Sequence, residues 1–254
     1  MTKLTKNTAK LSFQTIQETR KPKVLFNDMS NLVQMVAKDI SPSLILSGMP
    51  GLGKTFLTIQ KLKDLGLKEG DHYIHVKGRS TAAGMFITLY ENRDKLIIFD
   101  DCDSVFNDKD AINLLKGALD SYDKRTISWL AAKPLKDSDG DNLPRFFDFE
   151  GRIIFITNVS SKKIDTAIKS RSFLIDITLS TDQMIQRMRD LLPEIEPSIK
   201  NIKIKRDALN AIKAVNKKFE GVEVNFRSLI KAIRIRQAGF KNWKSMIADQ
   251  IIPA

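Results

Sequence analysis

Short apolar runs alternate with amphipathic segments along the chain as far as Leu179. Such runs are typical of strands buried on both faces, and five occur, at Ser43–Leu46, Tyr73–Val76, Lys95–Phe99, Gly151–Asn158 (with a polar end) and Ser172–Leu179. Helices are predicted around and between them, at Asn27–Asp39, Lys54–Leu65, Ala82–Glu91 and Asp110–Leu119. This alternation predicts an α/β fold, a parallel five-stranded sheet flanked by helices.

The pattern becomes purely helical after Leu179. Ser180 and Gln183 form a capping box ahead of an amphipathic stretch. Further helices are predicted at Asp207–Phe219, Asn225–Ala238 and Trp243–Ile251. We therefore expect an N-terminal arm at residues 1–26, an α/β core at 27–179 and a small all-α lid domain at 180–254. Composition does not decide whether the arm docks on a partner or is disordered.

Composition narrows the class of protein. No apolar run reaches membrane-spanning length, and the first residues lack a hydrophobic signal segment. The single cysteine, Cys102, excludes an internal disulfide framework and a multi-cysteine zinc site, and two histidines, His72 and His75, are too few to indicate a metal site. These features predict a cytoplasmic protein without a membrane partner, located in the host cytoplasm if it is viral.

The chain carries a formal net charge of +12 and an isoelectric point near 9.7. A strong positive balance favours a polyanionic partner, and nucleic acid is the first candidate. The alternative is that the charge serves only solubility.

A glycine-rich loop follows the first predicted strand and leads directly into a helix. It reads Gly48-Met-Pro-Gly-Leu-Gly-Lys-Thr55. Glycines let such a loop turn its backbone N–H groups onto phosphate oxygens, and the helix adds its positive N-terminal end. Lys54 would then reach the β- and γ-phosphates, and the Thr55 hydroxyl would bind Mg²⁺. We assign the contacts to ATP to Gly48, Pro50, Gly51, Gly53, Lys54, Thr55 and Phe56.

Two carboxylates, Asp100 and Asp101, end the third predicted strand. In open α/β sheets ligands bind at the carboxyl ends of the strands. Asp100 is therefore predicted to hold Mg²⁺, directly or through water. Asp101 is the candidate general base that polarises the attacking water.

These landmarks, in this order, resemble the AAA+ ATPases over residues 28–240. The glycine-rich loop corresponds to the family's Walker A motif, and Asp100-Asp101 corresponds to Walker B. The resemblance implies ATP hydrolysis with Mg²⁺ and a helical lid over the core. It also implies a homo-oligomeric ring, such as a hexamer, with ATP bound at the interfaces between subunits.

Three further residues match positions of that family. Asn158, at the end of the fourth strand, resembles sensor 1, which orients the attacking water. Arg171, just before the fifth strand, resembles the arginine finger that completes a neighbour's site, although Lys169 is a nearby rival. Arg227, at the start of a predicted lid helix, is similar to sensor 2. Its alternative is a solvated basic stripe shared with Lys231 and Arg234.

The chain departs from the family at Asp101, where a glutamate is usual. An aspartate is shorter by one methylene, so slow hydrolysis is expected, or another acid such as Asp103 serves as the base. Some members of the family work mainly as nucleotide-dependent switches, and this chain could be one of them.

Residues 124–149 exceed what the core requires. Two β-prone flanks enclose an acidic loop, which predicts a hairpin that resembles the hairpin before sensor 1 in superfamily 3 viral helicases. In those proteins the hairpin faces the pore and grips nucleic acid, and here Lys133 and Lys136 would supply the charge. The alternative is a surface hairpin that packs Trp129 and Phe147 onto the core.

A second candidate for contact with nucleic acid lies between the second strand and the helix that follows it. Lys77 and Arg79 flank a glycine where the family places its first pore loop. Phosphate contacts of this kind give affinity without reading sequence.

The sequence thus predicts an Mg²⁺-dependent ATPase that acts on DNA as an oligomeric ring, in replication or remodelling, for a phage or a mobile element. Its turnover would be stimulated by DNA, as in a helicase. Two alternatives remain open: a helicase loader or switch that binds a replication protein, and a protein remodeller with no nucleic-acid role.

Overall fold

The computed structural model describes residues 21–120 and 124–252. The first part of the chain forms α1 (Pro22–Ala37), β1 (Ser43–Gly48), α2 (Lys54–Asp64), β2 (Tyr73–Lys77), α3 (Ala82–Glu91), β3 (Leu96–Asp100) and α4 (Lys109–Ala118). There follow β4 (Thr126–Ser128), β5 (Phe146–Asp148), β6 (Arg152–Ile156), α5 (Thr166–Ser170) and β7 (Phe173–Ile177). The remaining elements are helices, α6 (Thr181–Leu191), α7 (Ile202–Asn216), α8 (Phe226–Gln237) and α9 (Trp243–Ile251).

Five parallel strands form one sheet in the order β2-β3-β6-β1-β7. Every residue of β1 and β3 is buried, as expected for continuously apolar strands covered on both faces. Because β6 lies between β3 and β1, the ends of these three strands meet at one edge of the sheet. The predicted α/β fold class, with helices following the sheet along the chain, is confirmed.

Strands β4 and β5 form a separate two-stranded antiparallel ribbon, with Ile127 opposite Phe147. Phe147 is buried and contacts Phe86 and Tyr90 of α3 edge-on, with ring centroids 5.2 and 5.3 Å apart. Trp129 lies 5.9 Å from the Phe86 ring. The predicted hairpin therefore exists, and its base packs onto the core by its aromatic residues.

Two predicted helix starts are wrong. Helix α1 begins at Pro22 rather than at Asn27-Asp28, because Leu25 and Phe26 are buried and extend the apolar face toward the N-terminus. Proline is compatible with the first turn of a helix.

Helix α7 begins at Ile202 rather than at Asp207, capped by the side chain of Asn201. The alternation of isoleucine and lysine at 202–205 has no helical period, so the pattern concealed this turn. Phe219, predicted on the apolar face, lies beyond the helix and is 49% exposed.

By the density of its contacts the chain divides into two compact units. The α/β unit is Phe26–Ile177, and the helical unit contains Thr178 onward. Most of the predicted arm, residues 1–20, lies outside the described residues. In the described part of the chain, no helix combines the length and the apolar character that a membrane span requires.

Candidate functional site

The loop between β1 and α2 has a backbone that favours glycine. Gly48, Gly51 and Gly53 have φ values of 142°, 74° and 85°. A Cβ atom on Gly48 would lie 2.2 Å from the carbonyl oxygen of Ile177 on the neighbouring strand. Gly53 is the N-cap of α2 and offers no side-chain hydrogen bond. No side chain of the cap therefore competes with an anion for the first N–H groups of the helix.

Lys54 lies across this loop with 6% of its surface exposed. Its Nζ donates to the carbonyl oxygens of Gly48 and Met49, at 2.7 and 2.9 Å, and to Oδ1 of Asn158 at 3.1 Å. A buried ammonium group needs such partners. The lysine is thus held at the loop, next to Asn158 at the end of β6.

Asp100, at the end of β3, is engaged through both carboxylate oxygens. The Thr55 hydroxyl donates to Oδ1 at 3.1 Å, and Nε2 of His75 lies 3.0 Å from Oδ2. His75 comes from the neighbouring strand β2, and sequence reasoning missed it. It lies two residues before the end of β2, and its partner Asp100 becomes apparent only once β2 is known to pair with β3.

Asp101 has a φ of 55°, in the left-handed region that non-glycine residues seldom adopt. Its backbone N–H donates to the carbonyl oxygen of Ile156 at 2.9 Å, and its Oδ1 accepts a hydrogen bond of 2.7 Å from Nδ2 of Asn158. Strained backbone of this kind is often found at functional sites. Asn158 therefore connects Lys54 to Asp101 through its two amide atoms.

The two side chains that follow Asp101, those of Cys102 and Asp103, have structural roles. Asp103 accepts a hydrogen bond from the Thr157 hydroxyl, which ties the loop after β3 to the end of β6. Cys102 is buried, and burial, followed by the negative charge of Asp100, raises the pKa of its thiol to about 11. The thiol is therefore protonated at neutral pH and a poor nucleophile.

Arg171 lies at the N-terminal end of β1, whereas Lys54 follows the C-terminal end of the same strand. The carbonyl oxygen of Arg171 accepts a hydrogen bond of 3.1 Å from Ser43, the first residue of β1, whereas the loop follows the last. The length of β1 separates the two by roughly 16–20 Å. The side chain is half-buried, and its guanidinium donates to the carbonyl oxygen of Ala167. Arg171 therefore cannot contact the loop of its own chain.

Arg227 is an exposed residue in the first turn of α8, inside the helical unit. The capping box between Asn225 and Ser228 fixes this turn. Of the two cations that share its helical face by spacing, Arg234 is bonded to Glu196 at 2.8 Å and Lys231 is exposed.

The four predicted nucleic-acid contacts, Lys77, Arg79, Lys133 and Lys136, are all exposed. The tip of the hairpin, next to Lys136 in sequence, is acidic. Asp137 accepts backbone N–H groups from Asp139 and Asp141. The two lysines of the hairpin are thus close in sequence to three carboxylates, Asp137, Asp139 and Asp141.

The residues present suit a magnesium nucleotide. The Thr55 hydroxyl and the Asp100 carboxylate are the hard oxygen ligands that Mg²⁺ prefers, and a few protein oxygens are enough because phosphates and water complete its shell. The loop supplies backbone N–H groups and Lys54 for the phosphates. Phe56, the last predicted contact, is 69% exposed on the first turn of α2.

The order of the strands, the loop after β1 and the carboxylates at the end of β3 define the class of fold. It is a parallel five-stranded α/β core with a glycine-rich loop of the P-loop type after its first strand, followed along the chain by helices.

Comparison with known proteins finds a relative in Enterobacteria phage T4. The uncharacterized 36.7 kDa protein of its nrdC-mobD intergenic region is 32% identical over 183 residues. The match covers 66% of this chain and 54% of the phage protein, so the chain spans about half the length of this relative. No protein-family model matches the chain.

Among solved structures, the RuvB Holliday junction branch migration motor of Thermotoga maritima is similar with a TM-score of 0.43 and 13% identity, over 88% of this chain and 71% of that one. A second structure of RuvB from the same organism has a TM-score of 0.43 and 14% identity, over 84% and 69% of the two chains.

Proposed function

We propose that this protein is an Mg²⁺-dependent AAA+ ATPase that assembles into a ring and acts on DNA, in replication or remodelling. The observation that carries the ATPase assignment is the convergence of five predicted side chains at one edge of the sheet. They are Lys54, Thr55, Asp100, Asp101 and Asn158. Hydrogen bonds of 2.7–3.1 Å join Asn158 to Lys54 and to Asp101, and Thr55 to Asp100.

Each of these residues has a task that its contacts support. Lys54 exchanges its bonds to loop carbonyls for bonds to phosphate oxygens. Thr55 and Asp100 hold Mg²⁺, which neutralises phosphate charge when bound. Asp101 accepts the proton of the attacking water, and Asn158 orients that water through its amide.

Arg171 would act on the site of a neighbouring subunit. Its distance from its own loop leaves no role there, whereas a cation supplied by a neighbour stabilises the charge of the transition state. Monomers should therefore be nearly inactive, and turnover should rise steeply with protein concentration. Arg227 would sense the γ-phosphate from the helical unit.

The action on DNA rests on the net charge of +12 and on a relative from a phage. A second candidate function is a nucleotide-dependent switch, such as a helicase loader that binds a replication protein. Asp101 favours it, because its side chain is shorter by one methylene than the usual glutamate, which should slow hydrolysis. A protein remodeller without a nucleic-acid role is the third candidate.

Steady-state ATP hydrolysis separates these functions. It is measured with no DNA, with single-stranded DNA and with double-stranded DNA, across a range of protein concentrations. Stimulation by DNA that rises steeply with protein concentration is expected. A turnover rate that does not change with DNA would instead favour the protein remodeller. Hydrolysis of one ATP per protein, with further turnover only when a partner protein is present, would favour the switch.

A further inference from the structure

The positive charge of this protein is distributed very unevenly. Residues 26–177, which form the α/β unit, here called the core, contain 21 lysines and arginines and 21 aspartates and glutamates. Residues 178–254 contain 15 basic and 8 acidic residues, and residues 1–25 contain 6 and 1. The core is therefore neutral, and the whole excess of +12 lies outside it.

In the helical unit, part of this charge forms a basic stripe on α7, defined as Lys203, Arg206, Asn210, Lys213 and Lys217. These residues recur at spacings of three and four, so they share one face of the helix. All of them are exposed except Lys213, which is half-buried. The other faces of α7 pack inward through apolar residues, including Leu209 and Ile212.

No acidic residue interrupts the stripe. Asp207 is the one acid of α7, and its carboxylate is occupied by Arg236 of α8 at 2.9 Å. The hairpin differs, because its lysines lie beside Asp137, Asp139 and Asp141. A polyanion thus meets a more favourable potential at α7 than at the hairpin.

We propose that the basic stripe binds the phosphate backbone of DNA without reading its sequence. From Lys203 to Lys217 the helix rises about 21 Å. That length matches about six phosphates of one strand, at 3.4 Å of axis per phosphate. Lysine and arginine contacts to phosphates supply affinity and position, whereas base edges supply specificity. This assignment rests on the proposed action on DNA and places its main contact in the helical unit rather than at Lys133 and Lys136.

The test is the salt dependence of DNA binding, measured by fluorescence anisotropy with a labelled duplex of arbitrary sequence. The stripe variant carries Lys203→Gln, Arg206→Gln, Lys213→Gln and Lys217→Gln. A charge-matched control carries Lys63→Gln, Lys68→Gln, Lys109→Gln and Lys162→Gln, all exposed in the core. A hairpin variant carries Lys133→Gln and Lys136→Gln. Circular dichroism and basal ATP hydrolysis check that each variant folds.

The stripe variant should bind DNA more than tenfold more weakly, and its log–log salt slope should be smaller by about 3 to 4, since each phosphate contact contributes about 0.9. An equal loss in the charge-matched control would overturn the stripe, because net charge alone would then explain binding. A loss confined to the hairpin variant would also overturn it, while leaving the action on DNA intact.

Two further results would contradict the proposal at a different level. If wild-type protein hydrolyses ATP but does not bind DNA at low salt, the action on DNA fails and the stripe loses its ligand. If polyglutamate of equal charge displaces DNA as well as unlabelled duplex does, the surface serves acidic partners in general. Neither result would affect the assignment of the ATPase site.

An independent observation concerns His75. Its Nε2 and Oδ2 of Asp100 are 3.0 Å apart, and their side chains are only 6% and 9% exposed. The other oxygen of Asp100 accepts the hydrogen bond of Thr55. We infer that His75 is a positioning residue, which holds the carboxylate so that Oδ1 faces Thr55 and the expected Mg²⁺.

Groups that orient metal ligands typically change metal affinity by 10–100-fold when they are removed. His75→Ala should therefore raise the Mg²⁺ concentration needed for half-maximal binding of a fluorescent ATP analogue by at least about tenfold. Binding without Mg²⁺ should not change. His75→Gln keeps an N–H donor at a similar reach and should restore most of the effect.

Thermal unfolding of both variants separates positioning from stability. An unchanged Mg²⁺ dependence in His75→Ala would overturn the inference. So would equal weakening in both variants, since a retained donor would then make no difference.

Discussion

The α/β core and the helical unit divide chemistry and charge between them. The core carries the phosphate loop, the paired carboxylates and Asn158 on a scaffold with as many acidic as basic residues. Residues 178–254 have a surplus of seven positive charges, and α7 carries a basic face that no acidic residue interrupts. A site that must bind both Mg²⁺ and phosphates needs acids and bases together, whereas a surface for a polyanion needs only bases.

This difference predicts which substitutions should affect the nucleotide and which should affect DNA. Changes at the carboxyl edge of the sheet should alter nucleotide binding and turnover and leave affinity for DNA intact. Changes on the basic stripe of α7 should do the reverse.

Lys54→Ala has the largest expected effect. The variant loses the cation that faces the phosphates, so binding of a fluorescent ATP analogue should fall below detection, and hydrolysis with it. Affinity for DNA measured without nucleotide should stay within twofold of wild type, which sharpens the division. Lys63→Ala, an exposed lysine on the same helix, is the control and should bind normally. Normal nucleotide binding by Lys54→Ala would remove the loop as the phosphate site.

Arg171→Ala should reduce turnover by about 10³-fold or more if it acts as an arginine finger. Binding of ATP should persist, because Arg171 lies at the far edge of the sheet from its own loop. Mixing the variant with Lys54→Ala protein should restore activity, since intact sites then meet intact fingers. Lys169→Ala is the matched comparison, and a loss there without one at Arg171 would transfer the role to the lysine.

Asp101→Asn should retain ATP and lower turnover by about 10²-fold or more, because an amide cannot accept the proton of water. Asparagine tolerates the left-handed backbone, so stability should hardly change. Single-turnover hydrolysis measures the effect, with Asp110→Asn as an exposed control. Equal turnover in Asp101→Asn and wild type would direct attention to Asp103.

Gly48→Ala should destabilise the core by about 3 kcal/mol, through strain and a clash with the carbonyl of Ile177. Unfolding in urea measures the change. Gly66→Ala is the control, because its φ of 79° is also positive but no atom lies within 4 Å of the added Cβ. Similar losses in the two variants would show that the backbone conformation matters and the close approach to β7 does not.

Asn225→Ala is the smallest change and lies in the helical unit. Removing the N-cap of α8 should cost about 1 kcal/mol, since one backbone N–H at the helix start loses its acceptor. Hydrogen exchange of the first turn of α8 detects it. Asn201→Ala, the exposed N-cap of α7, should cost less. If the variant stays folded in the assay and still loses turnover, the result would indicate that Arg227 acts on the nucleotide.

Much of this protein follows from local pattern. Strands of continuous apolar residues, the loop at Gly48–Thr55 and the caps at Ser180 and Asn225 depend on neighbours in sequence, so they could be predicted. The errors in the starts of α1 and α7 arose where lysines interrupt the apolar period and burial decided the helix.

Only the tertiary structure decided which side chains meet. His75 reaches Asp100 because β2 pairs with β3, and Asn158 joins Lys54 to Asp101 because β6 lies between β1 and β3. The packing of Phe147 on α3 and the left-handed backbone of Asp101 likewise depend on contacts between distant segments. The sequence determined the elements and the chemistry available to them, since both are local. The order and register of the strands, which are set by long-range packing, decided how that chemistry is arranged.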